Sequence, residues 1–217
     1  MCLIVRGRVS NLLKLDLDQA ENSNPDGYGI HTPDRVILSF DAKLRYASEV
    51  LAELPGDTLA TIHFRLATHG KVNKPNAHPF AIGEGVFLMH NGVLRGIEYD
   101  CPKGKHSDTA LLAKSLVPMD HKSRCKTLHT LAVANRFCLL NGDQWKKFGT
   151  WQFDASTKTW HSNGMLLGNG SSRCYDPRKW NTKDYFSDSD SKSFSDKFSF
   201  SRKALDDYFD DRTFRSY

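Results

Sequence analysis

The feature that most restricts the fold is a series of short apolar runs, each followed by residues typical of turns. Such runs predict strands at residues 2–6, 28–31, 35–40, 58–66, 86–90, 136–140, 149–153 and 158–161. Only two windows, 42–54 and 108–117, have apolar residues at helical spacing, and Ser107 is a suitable N-cap for the second window. Many strands combined with few helices predict a layered α+β fold.

The composition changes once, near residue 180. The chain has 217 residues, of which 39% are hydrophobic, so residues 1–180 can bury a core as one domain. Residues 181–217 alternate Ser, Asp, Phe and Lys with few aliphatic residues. This composition predicts a C-terminal tail that is either flexible or docks through its aromatic side chains.

Cysteine number and charge exclude several classes of protein. The five cysteines are odd in number and contain no C-x-x-C pair, which argues against a disulfide framework and a zinc ribbon and predicts a reducing, cytoplasmic setting. The apolar run before Arg6 is too short for a signal peptide, and no window is long enough for a membrane span. The net charge of +5 without a basic stripe does not indicate nucleic-acid binding.

Cys2 is the first candidate for chemistry. Removal of Met1 would leave a cysteine with a free α-amino group, whose pKa of about 7.7–8.0 suits a base for the thiol near neutral pH. One residue would then supply both nucleophile and base. The alternatives are a buried structural cysteine and lipidation, and the second lacks a polybasic or helical anchor nearby.

Four further residues fit the same chemistry. Asn91 and Gly92 form a turn-forming pair after an apolar strand, and they can present a side-chain amide and a backbone N–H together to an oxyanion. Arg65 ends a strand, and its planar guanidinium can hold a carboxylate through two parallel bonds or form an ordinary surface ion pair. Asp108 follows the Ser107 cap, where an acidic residue favours the helix dipole.

These residues belong to six short motifs whose order along the chain is informative. The motifs are Met1-Cys2 and residues 24–30, 63–70, 76–80, 89–93 and 107–109. In combination they resemble the class II glutamine amidotransferase domain of the N-terminal-nucleophile hydrolases, over about residues 2–170. The resemblance implies a four-layer α/β/β/α sandwich with two mainly antiparallel sheets.

The resemblance also implies a role for each matching residue. Cys2 would attack the side-chain amide of glutamine, while Asn91 and Gly92 would stabilise the oxyanion. Arg65 would hold the α-carboxylate of glutamine and Asp108 its α-ammonium group. The remaining matching positions, Thr68 and His69, would line the same pocket, and Asp26 and Gly27 would lie near the nucleophile.

Two positions depart from the pattern of that family, and the histidines raise a separate question. Leu3 stands where the family often has Gly, and Leu66 stands where some synthases have Trp. Five histidines fall between residues 63 and 106, but none has the i,i+4 spacing of a metal-binding helix. We therefore expect neither a metal nor an organic cofactor.

Three functions remain open at this point. The first is a glutaminase that forms a γ-glutamyl thioester and releases ammonia for a separate acceptor synthetase, because 217 residues leave no room for a fused synthetase domain. The second is a stand-alone hydrolase of other γ-glutamyl amides. The third is a non-catalytic binding module that retains the glutamine pocket. The expected small-molecule partner is thus glutamine or a γ-glutamyl amide, and no membrane partner is expected.

Overall fold

The computed structural model describes residues 2–40, 45–68, 70–94 and 106–167. His69, the predicted domain boundary at residue 180 and the predicted tail lie outside the described residues. The described strands are β1 Leu3–Arg8, β2 Tyr28–His31, β3 Val36–Ser39, β4 Leu59–Phe64, β5 Phe80–Gly83, β6 Val86–Asn91, β7 Arg136–Asn141, β8 Gln144–Phe148, β9 Gln152–Asp154 and β10 Thr159–His161. The described helices are α1 Val9–Leu12, α2 Leu17–Ser23, α3 Ala47–Ala52, α4 Asp108–Leu116 and α5 His121–Leu131, with a 3-10 turn at Lys74–Asn76.

The strands form two separate antiparallel sheets. One sheet has six strands in the order β3-β2-β4-β1-β10-β9, and the other has four strands in the order β5-β6-β7-β8. Every hydrogen-bonded pair of neighbouring strands is antiparallel. The predicted α+β class is confirmed, and β1 lies near the centre of the larger sheet.

Strand β1 is buried on both faces, which explains why its sequence is a continuous apolar run. Leu3 and Val5 point into a core that also contains side chains of α1, α2 and α3. Ile4 lies on the opposite face, in a different core that contains side chains of the second sheet. The two-residue period of a strand therefore directs alternate side chains into two cores.

Strand β7 divides its side chains in the same way. Phe137 and Leu139 pack in a core with α4 and α5, whereas Cys138 and Leu140 pack in the core that contains Ile4. That shared core joins β1, β6 and β7, so the two sheets face each other there. Each sheet thus has helices against one face and the other sheet against the opposite face.

The predicted strands are present, with ends that shift by a few residues, but the helices are more numerous than the two predicted. The helix predicted at 42–54 occupies Ala47–Ala52, and residues 41–44 lie outside the described residues. Helices α1, α2 and α5 and strands β5 and β8 were not predicted. Only one side chain of helix α5, Leu128, is fully buried. The helix therefore needs few apolar residues, and its sequence lacks the periodic apolar pattern from which a helix is predicted. No helix within the described ranges is long and apolar enough to cross a membrane.

Candidate active site

Cys2 lies directly before β1, beside the end of β4. The pairing of Leu3 with Phe64 brings Cys2 next to the residues that follow β4. The backbone N–H of Leu66 donates to Cys2 Sγ at 3.3 Å, and the thiol faces the Leu66 carbonyl oxygen at 3.4 Å. The Asn163 side-chain amide donates to the Cys2 carbonyl oxygen at 2.8 Å. Backbone and side-chain bonds therefore hold the thiol in one place.

The electrostatic setting of Cys2 differs from that of a core cysteine. Burial raises the pKa of the Cys2 thiol, while the Leu66 N–H and the nearby Arg65 charge oppose that rise. Cys138 is completely buried, and burial raises its pKa to about 12. Cys138 lies near the buried Arg6 as Cys2 lies near the buried Arg65, but Cys2 is only partly buried. It rests as a thiol and needs a base in order to react.

Arg65 is buried where β4 ends, and the loop before β2 supports it. The Asp26 N–H donates to the Arg65 carbonyl at 3.1 Å, and the Arg65 N–H donates to the Gly27 carbonyl at 2.9 Å. The Asp26 carboxylate accepts from the Ala67 N–H at 2.7 Å. Arg65 Nη1 donates to the Lys71 carbonyl at 3.0 Å. Asp26 and Gly27 thus lie close to Cys2, as predicted, and they shape the segment that bonds the thiol.

The segment after Arg65 reaches the start of α4. Thr68 is exposed, and His69 lies outside the described residues. Gly70 has φ +77°, and a Cβ atom there would lie 2.7 Å from the Ser107 backbone nitrogen. Only glycine combines this backbone conformation with such a close approach. The approach brings the Arg65 segment next to the residue that caps α4.

Asp108 is buried at the first turn of α4. Its Oδ2 accepts from the Leu94 N–H at 2.8 Å, and its Oδ1 accepts from the Thr109 N–H at 2.7 Å. Ser107 Oγ accepts from the Ala110 N–H at 3.1 Å, so the predicted helix cap is confirmed. Asp108 therefore fixes the chain on both sides of residues 95–105, and its predicted contact with an ammonium group stays a prediction.

Asn91 ends β6 and is linked to β1 through one side chain. Its Nδ2 donates to Ser162 Oγ at 2.9 Å, and the Ile4 N–H donates to the same Ser162 oxygen at 2.8 Å. Asn91 Oδ1 is buried and has no hydrogen-bond partner among the described residues. The carboxamide is thus fixed close to β1, and its Oδ1 and second N–H make no described hydrogen bond.

Gly92 follows with φ +152°, and a Cβ atom there would fall on the Asn135 side-chain oxygen. That oxygen also lies 3.0 Å from His90 Nε2, and His90 Nδ1 lies 2.7 Å from Thr109 Oγ1. The Thr109 hydroxyl donates to Asp108 Oδ1 at 3.2 Å. A continuous chain of polar contacts therefore links the first turn of α4 to the Asn91-Gly92 turn.

Three of these supporting residues were not predicted from the sequence. Asn135, Ser162 and Asn163 each contact a predicted site residue or its neighbour through a side chain. Ser162 and Asn163 directly follow β10, which pairs with β1. Polar residues that follow a strand adjacent to β1 are the pattern that could have identified them.

The buried histidines surround the site without forming a metal centre. His63 Nε2 lies 3.1 Å from the His90 carbonyl oxygen, and the His63 and His78 rings stack at 3.9 Å. Burial lowers the pKa of His63 to about 3 and that of His78 well below its usual value. In the described ranges, no group of three or more His, Cys, Asp or Glu side chains is arranged to hold a metal ion. These histidines pack as neutral rings.

Comparison with known proteins finds similarity over part of the chain. No family model matches it. It is 38% identical over 102 residues to the glutamine--fructose-6-phosphate aminotransferase [isomerizing] of Bradyrhizobium diazoefficiens, which covers 43% of this chain and 17% of that protein. Proteins of the same name from Rhizobium meliloti and Listeria monocytogenes are 37% identical over 90 residues and 30% identical over 102 residues. The chain thus spans about a sixth of the length of the relatives it matches.

Proposed function

We propose that this chain is a cysteine-dependent glutaminase of the class II amidotransferase type, with Cys2 as its nucleophile. The observation that carries the proposal is the Cys2 thiol, hydrogen-bonded to the Leu66 backbone directly after the buried Arg65. The similarity to proteins whose name includes glutamine and aminotransferase supports the same substrate. Cys138 also has a backbone donor and an arginine nearby, but it is completely buried and its pKa is raised to about 12, whereas Cys2 is only partly buried.

The proposed substrate lies between the two sides of the site. Arg65 would bind the α-carboxylate through its guanidinium fork, and Asp108 would bind the α-ammonium group. Thr68 and His69 would line the pocket beside Arg65. The close approach of Gly70 to Ser107 supports this placement, because it brings the arginine segment next to the helix that carries Asp108.

The chemistry begins with activation of the thiol. Since burial raises the pKa of Cys2, a base must take its proton during attack. After removal of Met1, the α-amino group of Cys2 itself would be that base. The sulfur would attack the side-chain amide carbon, and the collapse of the tetrahedral intermediate would break the C–N bond. The departing nitrogen would take the proton and leave as ammonia.

The γ-glutamyl thioester would then be hydrolysed by water. Attack by water breaks the C–S bond, releases glutamate and restores the Cys2 thiol. In both steps the oxyanion would accept hydrogen bonds from the Asn91 side-chain amide and the Gly92 backbone N–H. The link from Asn91 through Ser162 to Ile4 supports this role, because it fixes the donor relative to the nucleophile strand before substrate arrives.

We further propose the four-layer α/β/β/α sandwich of the N-terminal-nucleophile hydrolases for residues 1–180. The support is the alternation of cores, with helices against one face of each sheet and a shared core between the sheets. The ammonia would serve an acceptor synthetase on a separate chain. The unpaired thiols of Cys2, Cys125 and Cys138 fit the reducing cytoplasm.

The main alternative is a hydrolase of other γ-glutamyl amides. One of the two departures from the family pattern now has a structural account: Leu3 is fully buried in the core that contains Phe64. Its side chain therefore does not line the site. Leu66 bonds Cys2 through its backbone, which any residue at that position can do. Neither departure indicates whether the substrate is glutamine or a larger γ-glutamyl amide.

The test is an assay of the purified full chain with glutamine and with γ-glutamyl amides that carry larger amines. We expect equal amounts of ammonia and glutamate from glutamine, no product from the Cys2→Ser variant, and full activity of the Cys125→Ser control. Faster turnover of the larger amides would favour the alternative. Binding of glutamine without any hydrolysis, together with retention of Met1 in the intact mass, would contradict the proposal and favour a binding module.

A further inference from the structure

A second concave site lies at the other end of β1. The cavity has a volume of about 630 Å³ and lies where the end of β1 and the start of α1 meet side chains of β8 and β10. Cys2 and Arg8 are separated by six residues of extended chain, which corresponds to about 20 Å. The cavity is thus remote from the proposed active site, and its volume falls in the range of small-molecule sites.

The wall of the cavity carries an excess of positive charge. Its cations are Arg6, Arg8, Lys14 and Lys158, against one carboxylate, that of Asp143. Arg8, Lys14 and Lys158 are exposed, so they can turn toward a ligand in the cavity. Four cations around one opening with a single acid create a site that attracts anions.

Arg6 gives this site a fixed, buried charge. It is 4% exposed, and its two terminal nitrogens donate to neutral oxygens, Thr61 Oγ1 and the Asp143 backbone carbonyl, both at 2.6 Å. Among the described residues, no carboxylate oxygen lies within ion-pair distance of Arg6. The Asp143 charge acts on Arg6 from a greater distance. A buried guanidinium bonded only to neutral oxygens favours a further anion nearby.

Two tryptophans give the same cavity an apolar wall. Trp145 and Trp160 are partly buried, and their ring centres lie 6.0 Å apart. The Arg6 guanidinium carbon lies 5.2 Å from the centre of the Trp145 ring, which keeps the buried charge next to this wall. An inorganic anion would use the cations but would leave the tryptophan surface unused.

We propose that this cavity binds an organic phosphate, with the phosphate group held by the Arg6, Arg8 and Lys158 side and the organic portion packed against Trp145 and Trp160. The exposed Arg8 and Lys158 side chains can move toward the phosphate, whereas the buried Arg6 supplies a charge that is already fixed in the cavity wall. The organic portion can come from a sugar phosphate or from a nucleoside monophosphate, and both have the same recognition chemistry.

The test is calorimetric titration of the full chain with adenosine monophosphate, ribose 5-phosphate, inorganic phosphate and adenosine. We expect saturable binding of at least one organic phosphate, and binding of inorganic phosphate and adenosine that is weaker by about tenfold or more. Tighter binding of adenosine monophosphate than of ribose 5-phosphate would identify a nucleotide, and the reverse order a sugar phosphate. The Cys2→Ser variant should bind with unchanged affinity.

A matched pair of variants separates the cavity from general surface charge. Arg8→Gln/Lys158→Gln should weaken binding by about tenfold or more, because it removes two cations of the cavity. Lys122→Gln/Lys126→Gln removes the same charge from exposed positions of α5 and should change affinity less than about twofold. Equal losses in the two variants, or the absence of saturable binding for both organic phosphates, would overturn the proposal.

Discussion

The two sides of the candidate active site are held together by different means. On the side of the larger sheet, the Cys2 thiol bonds directly to the backbone of Leu66, and main-chain bonds of Asp26 and Gly27 fix the same segment together with the Asp26 carboxylate. On the side of the smaller sheet, the Ser162 side chain places the Asn91 carboxamide, and the Asp108 carboxylate accepts from two backbone N–H groups and from the Thr109 hydroxyl. The position of Cys2 therefore depends mainly on main-chain bonds, and that of Asn91 on a side-chain contact.

This difference predicts how substitutions will act. Main-chain bonds persist when a side chain changes, so a substitution on the Cys2 side should remove chemistry or charge while the local structure remains. A side-chain network loses its geometry when one member is replaced, so substitutions on the Asn91 side should have effects that spread to neighbouring residues. Single and paired variants can test this division.

The largest effect is expected for Cys2→Ser. Glutamine hydrolysis should fall by about a thousandfold or more, because the nucleophile is removed. The melting temperature should stay close to that of the parent chain, since the Leu66 backbone bonds can be made to a hydroxyl. Steady-state ammonia release and circular dichroism measure the two quantities. Residual hydrolysis close to the parent rate would show that another residue is the nucleophile.

Asn91→Ala should have the next largest effect. Loss of one oxyanion donor costs about 2.7–4 kcal/mol in the transition state, so kcat should fall by about a hundredfold to a thousandfold with little change in KM. Ser162→Ala is the matched variant, because it keeps the Asn91 carboxamide and removes the Ser162 oxygen that links it to the Ile4 N–H. Its kcat should fall by less than that of Asn91→Ala. If the Ser162 variant lost more activity than the Asn91 variant, the assignment of the oxyanion donor would be wrong.

Arg65→Lys should mainly change substrate binding. Lysine keeps the charge but loses the fork that holds a carboxylate with two bonds, so KM for glutamine should rise by about tenfold or more while kcat changes less. Saturation kinetics of the two variants, Arg65→Lys and Asn91→Ala, give the comparison directly. An equal change of the same parameter in both variants would refute the division between the two sides.

The last expected effect concerns stability and not activity, through the buried His63. Its pKa in the folded chain is about 3, whereas an unfolded histidine titrates near 6.5. Between these values the unfolded chain binds a proton that the folded chain does not, so stability falls as the pH decreases from 6.5 toward 3, by up to about 1.4 kcal/mol per pH unit. Urea unfolding of the parent and of His63→Gln between pH 5 and 7 measures the slope. An unchanged slope in the variant would show that His63 does not contribute.

Most strands could be predicted from the sequence because each strand carries its own pattern. The continuous apolar run of Leu3, Ile4 and Val5 and the turns that follow the strands are local features. The cap at Ser107 is local as well, and it was predicted correctly. Helix α5 could not be predicted in this way, because it buries only Leu128 fully and its remaining side chains lack an apolar stripe.

The residues of the candidate site also differ in how far local sequence predicts them. The positions of Cys2, Arg65 and Asn91 were found as reactive or polar residue types at strand ends. Ser162 and Asn163 were not found, because they act on residues about 160 positions earlier and only the pairing of β10 with β1 brings them there. Sequence patterns identify groups that can react, whereas supporting groups depend on long-range pairing that no local pattern records.

The proposed mechanism requires the Cys2 sulfur to form a covalent bond to the γ-carbonyl carbon of glutamine. The most direct measurement is mass spectrometry of the full chain after treatment with a glutamine analogue that carries an electrophilic ketone in place of the amide. We predict one adduct per chain. Peptide mapping should locate it on Cys2, and excess glutamine should prevent its formation. An adduct on Cys101, Cys125, Cys138 or Cys174 that glutamine prevents, with Cys2 unmodified, would contradict the mechanism.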